Sequence, residues 1–400
     1  MREVTSVQPI ILHPTRADAR QSAIVAIPAY NEAAQIERCL AALAMQRDEA
    51  GAPLAEGAFE IVIFANNCSD ATADVARSFA AMVPHPVRVV EEKLQPGKLS
   101  AGWARKRAMD LAASSLVAGG ATGVILTTDA DSCVAPTWFA ATMREFAKGV
   151  DCVAGYIDAH PLELVSLGRA FLGRGRMEDT YLRLIAEIDA RCDQRPHDPW
   201  PNHRVSSGAS LAVTLAAYTA IGGLPPRPVG EDSALTETLD RAGFKVRHAM
   251  DVSVSTSCRF DGRAHGGAAD TMRLRHAVPD SPCDDDLEPA LKATRRAIYR
   301  GWVRKIVSGA AAEGSLPRRL QIPDAAIRDL APGTAFEDVW RQVCATTPVL
   351  QRGAPLRPSD LPRQIALAQI IVRQLRLPFR TPKSAPADRR RPEAALALVG

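Results

Sequence analysis

A chain of 400 residues, 46% hydrophobic and 24% charged, suits one large α/β domain with appendages, or two domains. Its net charge of +4 is slight for the length, and no Lys/Arg run interleaved with aromatics crosses its body, which excludes dedicated nucleic-acid binding. The eight cysteines are scattered, without a C-x-x-C pair or a zinc-spaced Cys/His cluster, the N-terminus has no signal pattern, and no uninterrupted apolar stretch of about 18 residues occurs; the expectation is a cytoplasmic protein with reduced thiols and no transmembrane span.

Residues 1–21 read as an irregular lead-in. Ala23 to Ile27 then form a buried strand ended by Pro28, and Asn31 is the expected N-cap of a helix with Glu32 in its first turn and Ile36, Leu40 and Leu43 on one face. A Gly-, Ala- and Pro-rich loop from Ala50 to Ala58 leads to the strand Ile61–Phe64. Val75, Phe79 and Met82 mark the next helix, Val87–Val90 the third strand, and Ala101–Ser114 a further helix. Val124–Thr128 is the fourth strand; a helix opened by Pro136 follows, with Phe139, Met143 and Phe146 on one face and Gly149 as C-cap. This alternation predicts a mostly parallel sheet with helices on both faces.

Past Asp151 the rhythm breaks. Cys152–Gly155 suits another strand, Leu162–Ala190 a long charged helix, and the segment ending at Gly243 a short helix carrying Leu235 and Leu239. After about Asp280 the chain becomes a helical, Arg-rich appendage (281–377), and 378–400 reads as a disordered Pro-, Arg- and Ala-rich tail. The apolar face within Leu361–Leu377, flanked by Arg363, Arg373 and Arg376, either lies on a membrane surface or packs on the rest of the protein.

The chemistry gathers at strand ends. Asp129 and Asp131, around Ala130, stand at the C-terminal end of the fourth strand, the edge where open α/β sheets bind ligands. Two carboxylates this close call for a cation, and a few hard oxygen ligands suit Mg²⁺ or Mn²⁺ better than zinc; the alternative is that they cap the next helix. The turn Pro28-Ala29-Tyr30-Asn31-Glu32 can meet a nucleotide or be plain turn chemistry, and Asn66 opens a polar cluster at a second strand end. Lys98 and Arg105 can offset diphosphate charge or sit solvated on the surface. Glu231 and Asp232 begin a helix after a Gly- and Pro-rich segment, as caps or as catalytic carboxylates. Arg259, Arg263 and His265 lie in a glycine-rich loop that can close over a diphosphate, with His265 a candidate metal ligand.

Taken in order, Ile27–Glu32, Ala65–Thr72, Gly97-Lys98 with Ala104-Arg105, Asp129-Ala130-Asp131, Gly222-Gly223-Leu224 and Gly230–Leu235 resemble the glycosyltransferases of family 2, over roughly Ala23 to Val254. That resemblance implies a Rossmann-like GT-A domain over 22–280, with a nucleotide-sugar-binding half (22–135) and an acceptor-binding half (136–280). It implies an inverting, metal-assisted transfer of a sugar from a nucleotide-diphospho-sugar donor to an acceptor hydroxyl. Asp131, Asp129 and His265 would serve the metal, and Pro28, Ala29, Tyr30, Glu32, Asn66, Lys98, Arg105, Asp129, Ala130, Asp131, Arg259 and Arg263 the donor. Asp232 would be the base, beside Glu231. The chain departs from the family at Ala65 and Asn66, where an acidic pair is usual, and it lacks the Q-x-x-R-W motif of processive membrane synthases. The alternatives are a sugar-phosphate nucleotidyltransferase, against which the missing basic Gly-rich loop counts, and a non-catalytic nucleotide-sugar-binding protein. The acceptor (glycan, lipid or small molecule) is not legible, and contact with the inner membrane face is left open.

Overall fold

β1 (Ser22–Ala29) buries five consecutive residues, Ala23 to Ile27, which a strand does only when both faces of its sheet are covered. In the computed structural model, which describes residues 22–120, 122–262, 266–308 and 335–377, β1 lies at the centre of an eight-stranded sheet of order β3-β2-β1-β4-β7-β6-β8-β5. The other strands are β2 (Glu60–Asn66), β3 (Val87–Glu92), β4 (Gly123–Thr127), β5 (Ser132–Val134), β6 (Cys152–Ala159), β7 (Leu211–Thr214) and β8 (Val246–Thr256). Pairings β1–β2, β2–β3, β1–β4 and β6–β8 are parallel, while β7 runs antiparallel to both β4 and β6, and β5 antiparallel to β8. The expected parallel sheet is thus the first half, and a mixed half is added to it.

Chain order reverses between β1 and β4, the topological switch point where such sheets leave a crevice. The β1–β4 ladder ends at Ala26–Thr127, while β1 continues beside β2 as far as Ala29–Ala65. Pro28 sits in that extension, where a missing N–H costs no ladder bond on the β4 side.

Helices cover both faces. α1 (Ile36–Ala44), α2 (Thr72–Ala80) and α4 (Trp138–Ala147) pack on one side, where Ile36, Leu40, Leu43 and Trp138 join Val25, Ile27 and Ile63 in one core. α3 (Ala101–Ala118), α7 (Leu215–Ala220) and α8 (Glu231–Arg241) cover the other, with Ala108, Met109, Leu235 and Leu239 against Ile24, Val62 and Leu211. Next come α5 (Pro161–Ser166), α6 (Gly168–Cys192), α9 (Ala268–Ala277), α10 (Ala290–Val307), α11 (Phe336–Thr346) and α12 (Leu361–Arg376). A separate core joins Tyr181, Ile185 and Ile188 of α6 to Ala293 of α10 and to Leu361, Ala368 and Val372 of α12.

Several expectations are corrected. Asn31 does not cap α1: its φ is 55°, and the carbonyl of Glu32 accepts from the N–H groups of Gln35 and Ile36, so a turn intervenes before the helix. Met82 lies beyond the end of α2 and is exposed. The helix expected from Leu162 to Ala190 is broken at Gly168, which takes a left-handed φ of 86°. The three-residue strand β5 occupies the stretch before Pro136 and delays α4 to Trp138. The apolar face of α12 is covered by α6, which settles its two readings in favour of packing. The lead-in, residues 309–334, the tail, Arg263 and His265 lie outside the described residues. No helix among the described residues is long and apolar enough to cross a membrane.

Candidate active site

Beyond the last β4 residue the chain turns, Ser132 N–H donating to the Asp129 carbonyl at 3.1 Å, and presents both aspartates at the crevice. Asp131 Oδ2 lies 3.0 Å from Arg259 Nη2. The same guanidinium grips Glu32 with two bonds, Nη1 to Oε2 at 2.7 Å and Nη2 to Oε1. Burial, with the charge of Asp129 added to it, pushes the Asp131 carboxyl up to about 7, against the opposing charge of Arg259. Two carboxylates, Glu32 and Asp131, therefore face one guanidinium, and the site has room in its charge balance for a further cation. Among the described residues no three His, Cys, Asp or Glu side chains converge into a closed metal cage. Such a donor set fits a hard cation that takes one or two carboxylates from the protein and its remaining oxygens from a ligand and water.

Arg105 stands behind this edge. It lies on α3 in the stripe Arg105–Met109–Ala112–Leu116, all buried, and is itself 5% exposed. The small residues Ala104 and Ala108 bring α3 close to the sheet, so the guanidinium reaches the strand ends. Its Nη2 donates to Asp129 Oδ1 at 2.6 Å, Nε to Glu231 Oε1 at 3.0 Å, and Nη1 to Thr127 Oγ1 at 3.1 Å and the Gly208 carbonyl at 2.8 Å. With four protein acceptors engaged and almost no exposed surface, this guanidinium supports the site from within.

Glu231 and Asp232 open α8 after Gly230, whose φ is 76°. Neither acts as N-cap, a position taken by Gly230 without a side-chain bond. Glu231 is buried, and burial raises its carboxyl pKa despite the opposing charge of Arg105. Asp232 is less enclosed. Its Oδ2 accepts from the Gly208 N–H at 3.0 Å and its Oδ1 from the Ser233 N–H at 2.8 Å, which fixes the plane of the carboxylate. The loop at Gly208 thus holds Arg105 through its carbonyl and Asp232 through its amide.

The other expected donor-site residues divide by burial. Ala29 and Ala130 bury their methyl groups in the core, so only their backbone can meet a ligand. Tyr30 is 40% exposed beside Pro28. Asn66 is buried, and its Oδ1 has no hydrogen-bond partner, an acceptor left over at the end of β2. Lys98 lies 5.0 Å from the Trp103 ring centroid, at the exposed start of α3. Asp70 ties the two strand-end loops together: it accepts from the N–H groups of Ala33 and Thr72, while Thr72 Oγ1 accepts from Glu32 N–H.

Some contributors escaped the sequence reading. Glu163 of α5 accepts from Cys258 N–H and Ser257 Oγ, both at 2.7 Å, and pairs with Arg38 of α1 at 2.9 Å, which anchors the segment carrying Arg259. Thr127 and Gly208 hold Arg105. Only Arg105 itself carried a signal, since its place in the stripe with Met109, Ala112 and Leu116 marks it as buried.

The family profile described as glycosyltransferase-like family 2 matches residues 21–275. No curated protein matches the chain. Among solved structures, the mannosyltransferase PcManGT from Pyrobaculum calidifontis in complex with GDP-Man and Mn²⁺ is 20% identical, with 82% of this chain and 86% of that one covered and a TM-score of 0.44. TarS 1–349 from S. aureus in complex with UDP is 12% identical, with coverages of 88% and 90% and a TM-score of 0.42. Glucosyl-3-phosphoglycerate synthase from Mycobacterium tuberculosis, in complex with Mn²⁺, UDP-glucose and phosphoglyceric acid, is 20% identical, with coverages of 66% and 82% and a TM-score of 0.38. With the family profile spanning more than half of the sequence, the chain belongs to glycosyltransferase-like family 2.

Proposed function

We propose that the protein transfers a sugar from a nucleotide-diphospho-sugar to an acceptor hydroxyl with inversion, with Asp131 as the main cation ligand and Asp232 as the base. The observation that carries the reading is the buried Arg105, which bonds Asp129 on one side and Glu231 on the other. It sets the donor-side carboxylates and the start of α8 across one guanidinium, so that a single substrate can span both.

In this reading the nucleoside lies over the turn Pro28–Glu32 and the end of β2, where the unpartnered Asn66 Oδ1 offers an acceptor. The diphosphate lies over Asp131. Arg259 leaves Asp131 and turns to the phosphates, joined by Lys98 and Arg263, while Glu32 keeps it oriented. Asp131 with Asp129, and His265 from the same loop as Arg263, would hold Mg²⁺ or Mn²⁺, which neutralises charge growing on the leaving diphosphate. The acceptor oxygen attacks the anomeric carbon from the far side, its proton passes to Asp232, and the bond to the diphosphate breaks with its electron pair. Glu231, held by Arg105, positions the first turn of α8. Residues 22–135 form the donor half and 136–280 the acceptor half of this scheme. A cytoplasmic location, read from the scattered cysteines, belongs to the same proposal.

Asp232→Asn tests the base. Donor binding, read by thermal shift with UDP-, GDP- and dTDP-sugars in Mn²⁺, should survive, while turnover falls by roughly 10²–10⁴-fold because an amide cannot take the proton. Near wild-type turnover for this variant, with Glu231→Gln inactive, reverses the two roles. Release of pyrophosphate in place of nucleoside diphosphate would point instead to a nucleotidyltransferase.

A further inference from the structure

A cavity of about 660 Å³ lies between α8 and the helices α10 and α11, and its wall includes Ser206 and Ser233. Both residues belong to the segments that hold the Asp232 carboxylate, which accepts from Ser233 N–H and from Gly208 N–H two residues past Ser206. The volume falls in the range of ligand sites, on the order of 300–1,000 Å³.

Most charged groups in the wall are paired: Arg296 with Glu288, Arg300 with Glu337, Arg352 with Asp286. Four are left over. Among the described residues, the carboxylates of Asp189, Glu237 and Asp240 take part in no hydrogen bond or ion pair, and neither does the guanidinium of Arg204. Although burial works to raise it, Asp189 is held below its usual pKa by the fields of Arg204, Arg300 and Arg195. Trp340 supplies an aromatic surface in the same wall, backed by Val343 and Leu350.

The mixture discriminates between ligands. An acyl chain would strand four charges away from water. An anion would satisfy Arg204 but meet three carboxylates. Hydroxyl groups donate and accept at once, so a polyol answers both signs, and the C–H face of a pyranose can lie on an indole. We propose that this cavity is the acceptor site and that the acceptor is a saccharide, one hydroxyl of which reaches Asp232. The inference rests on the glycosyltransferase reading above and names the substrate class of its second site. The reaction is unchanged: the sugar's hydroxyl oxygen bonds to the anomeric carbon, its proton goes to Asp232, and the donor's bond to diphosphate breaks with its electron pair.

The test is binding of fluorescently labelled full-length protein to an array of defined saccharides, beside vesicles of anionic phospholipid. The array reads acceptor binding without donor, so failure of the donor reading in thermal shift with nucleotide sugars is a separate result. The expected outcome is retention on a restricted set of saccharides, weakened at least tenfold in Arg204→Met and in Glu237→Gln. Neither side chain has a hydrogen bond or ion pair to lose among the described residues, Arg204 acting on Asp189 only through its field, and an unchanged melting temperature confirms that each variant is folded. Trp340→Phe, which keeps an aromatic surface, should weaken binding less. No retention on any saccharide, retention indifferent to both substitutions, or retention on the vesicles alone would overturn the proposal.

Discussion

Arg105→Met removes a charge from a place where nothing else can replace it. The Arg105 and Glu231 side chains are each 6% exposed, and their contact is 3.0 Å. Asp129, at 2.6 Å, is 33% exposed, so water screens much of what it loses. The cost is therefore dominated by Glu231, left as a buried carboxylate without its partner. Breaking a buried pair from one side costs about 3–5 kcal/mol. The Thr127 hydroxyl and the Gly208 carbonyl, both on buried residues, lose a donor as well, so the whole of that range is the expectation. At roughly 2–4 °C per kcal/mol for a domain of this size, the melting temperature should fall by about 6–20 °C.

The second half of the prediction separates charge from shape. In Arg105→Met/Glu231→Gln both ends of the pair are gone, and no ion is left buried. The double variant should recover at least about 1 kcal/mol relative to the single one, a coupling that a double-mutant cycle in urea reads directly. A single variant as stable as the wild type, or effects that simply add, would refute the claim that Arg105 acts as internal counterion. Additive effects with a large loss would mean that packing of the aliphatic stem is what matters.

Gly208→Ala attacks the same guanidinium from the other side: a Cβ there would lie 2.1 Å from Arg105 Cζ, so stability should drop by about 1–3 kcal/mol and transfer should fall with it, measured by thermal melting and a donor-turnover assay. Asp131→Ala should remove the metal-dependent part of donor binding in isothermal titration with and without Mn²⁺; unchanged binding would place the cation elsewhere. The pH dependence follows from the Asp131 carboxyl, raised to about 7 from an ordinary value of 3.8. Its folded pKa exceeds the unfolded one, so its stabilising share is present below about pH 4 and is lost as pH rises through about 7, when the buried carboxyl must ionise. Metal-free protein should therefore melt lower at pH 7 than at pH 5 by an increment that Asp131→Asn lacks, and Mn²⁺ affinity should climb over the same interval as the metal displaces the proton.

What the sequence made legible was whatever a local pattern encodes. β1, β2 and β4 are apolar runs because both their faces are covered, and the acidic pairs stand at a strand end and a helix start, where polarity changes abruptly. β5 escaped because three residues hold no periodicity, and its pairing with β8 is made more than a hundred residues away. The face of α12 had two readings because an amphipathic pattern states only that one side is apolar; Tyr181, Ile185 and Ile188 of α6 supply the cover, and they lie too far along the chain for the pattern to name them.

Arg105 shows the same limit within the site. An arginine in an ordered run of glycosyltransferase motifs reads as a phosphate ligand, and its chemistry suits that role. The stripe Arg105–Met109–Ala112–Leu116 says otherwise, because a residue on the buried face of a helix points at protein. Glu231, 126 residues later, is what it points at. The two statements share one physical origin: a guanidinium at the head of a small-residue helix is the right cation for carboxylates that face outward to a ligand, provided that the ligand is met by other hands. In the proposed mechanism Arg259 is that other hand, half-buried, held by Glu32, and bound to Asp131 by a contact that a diphosphate can replace. A fixed arginine behind the carboxylates and an exchangeable one in front of them divide the work of charge compensation, and only burial tells which is which.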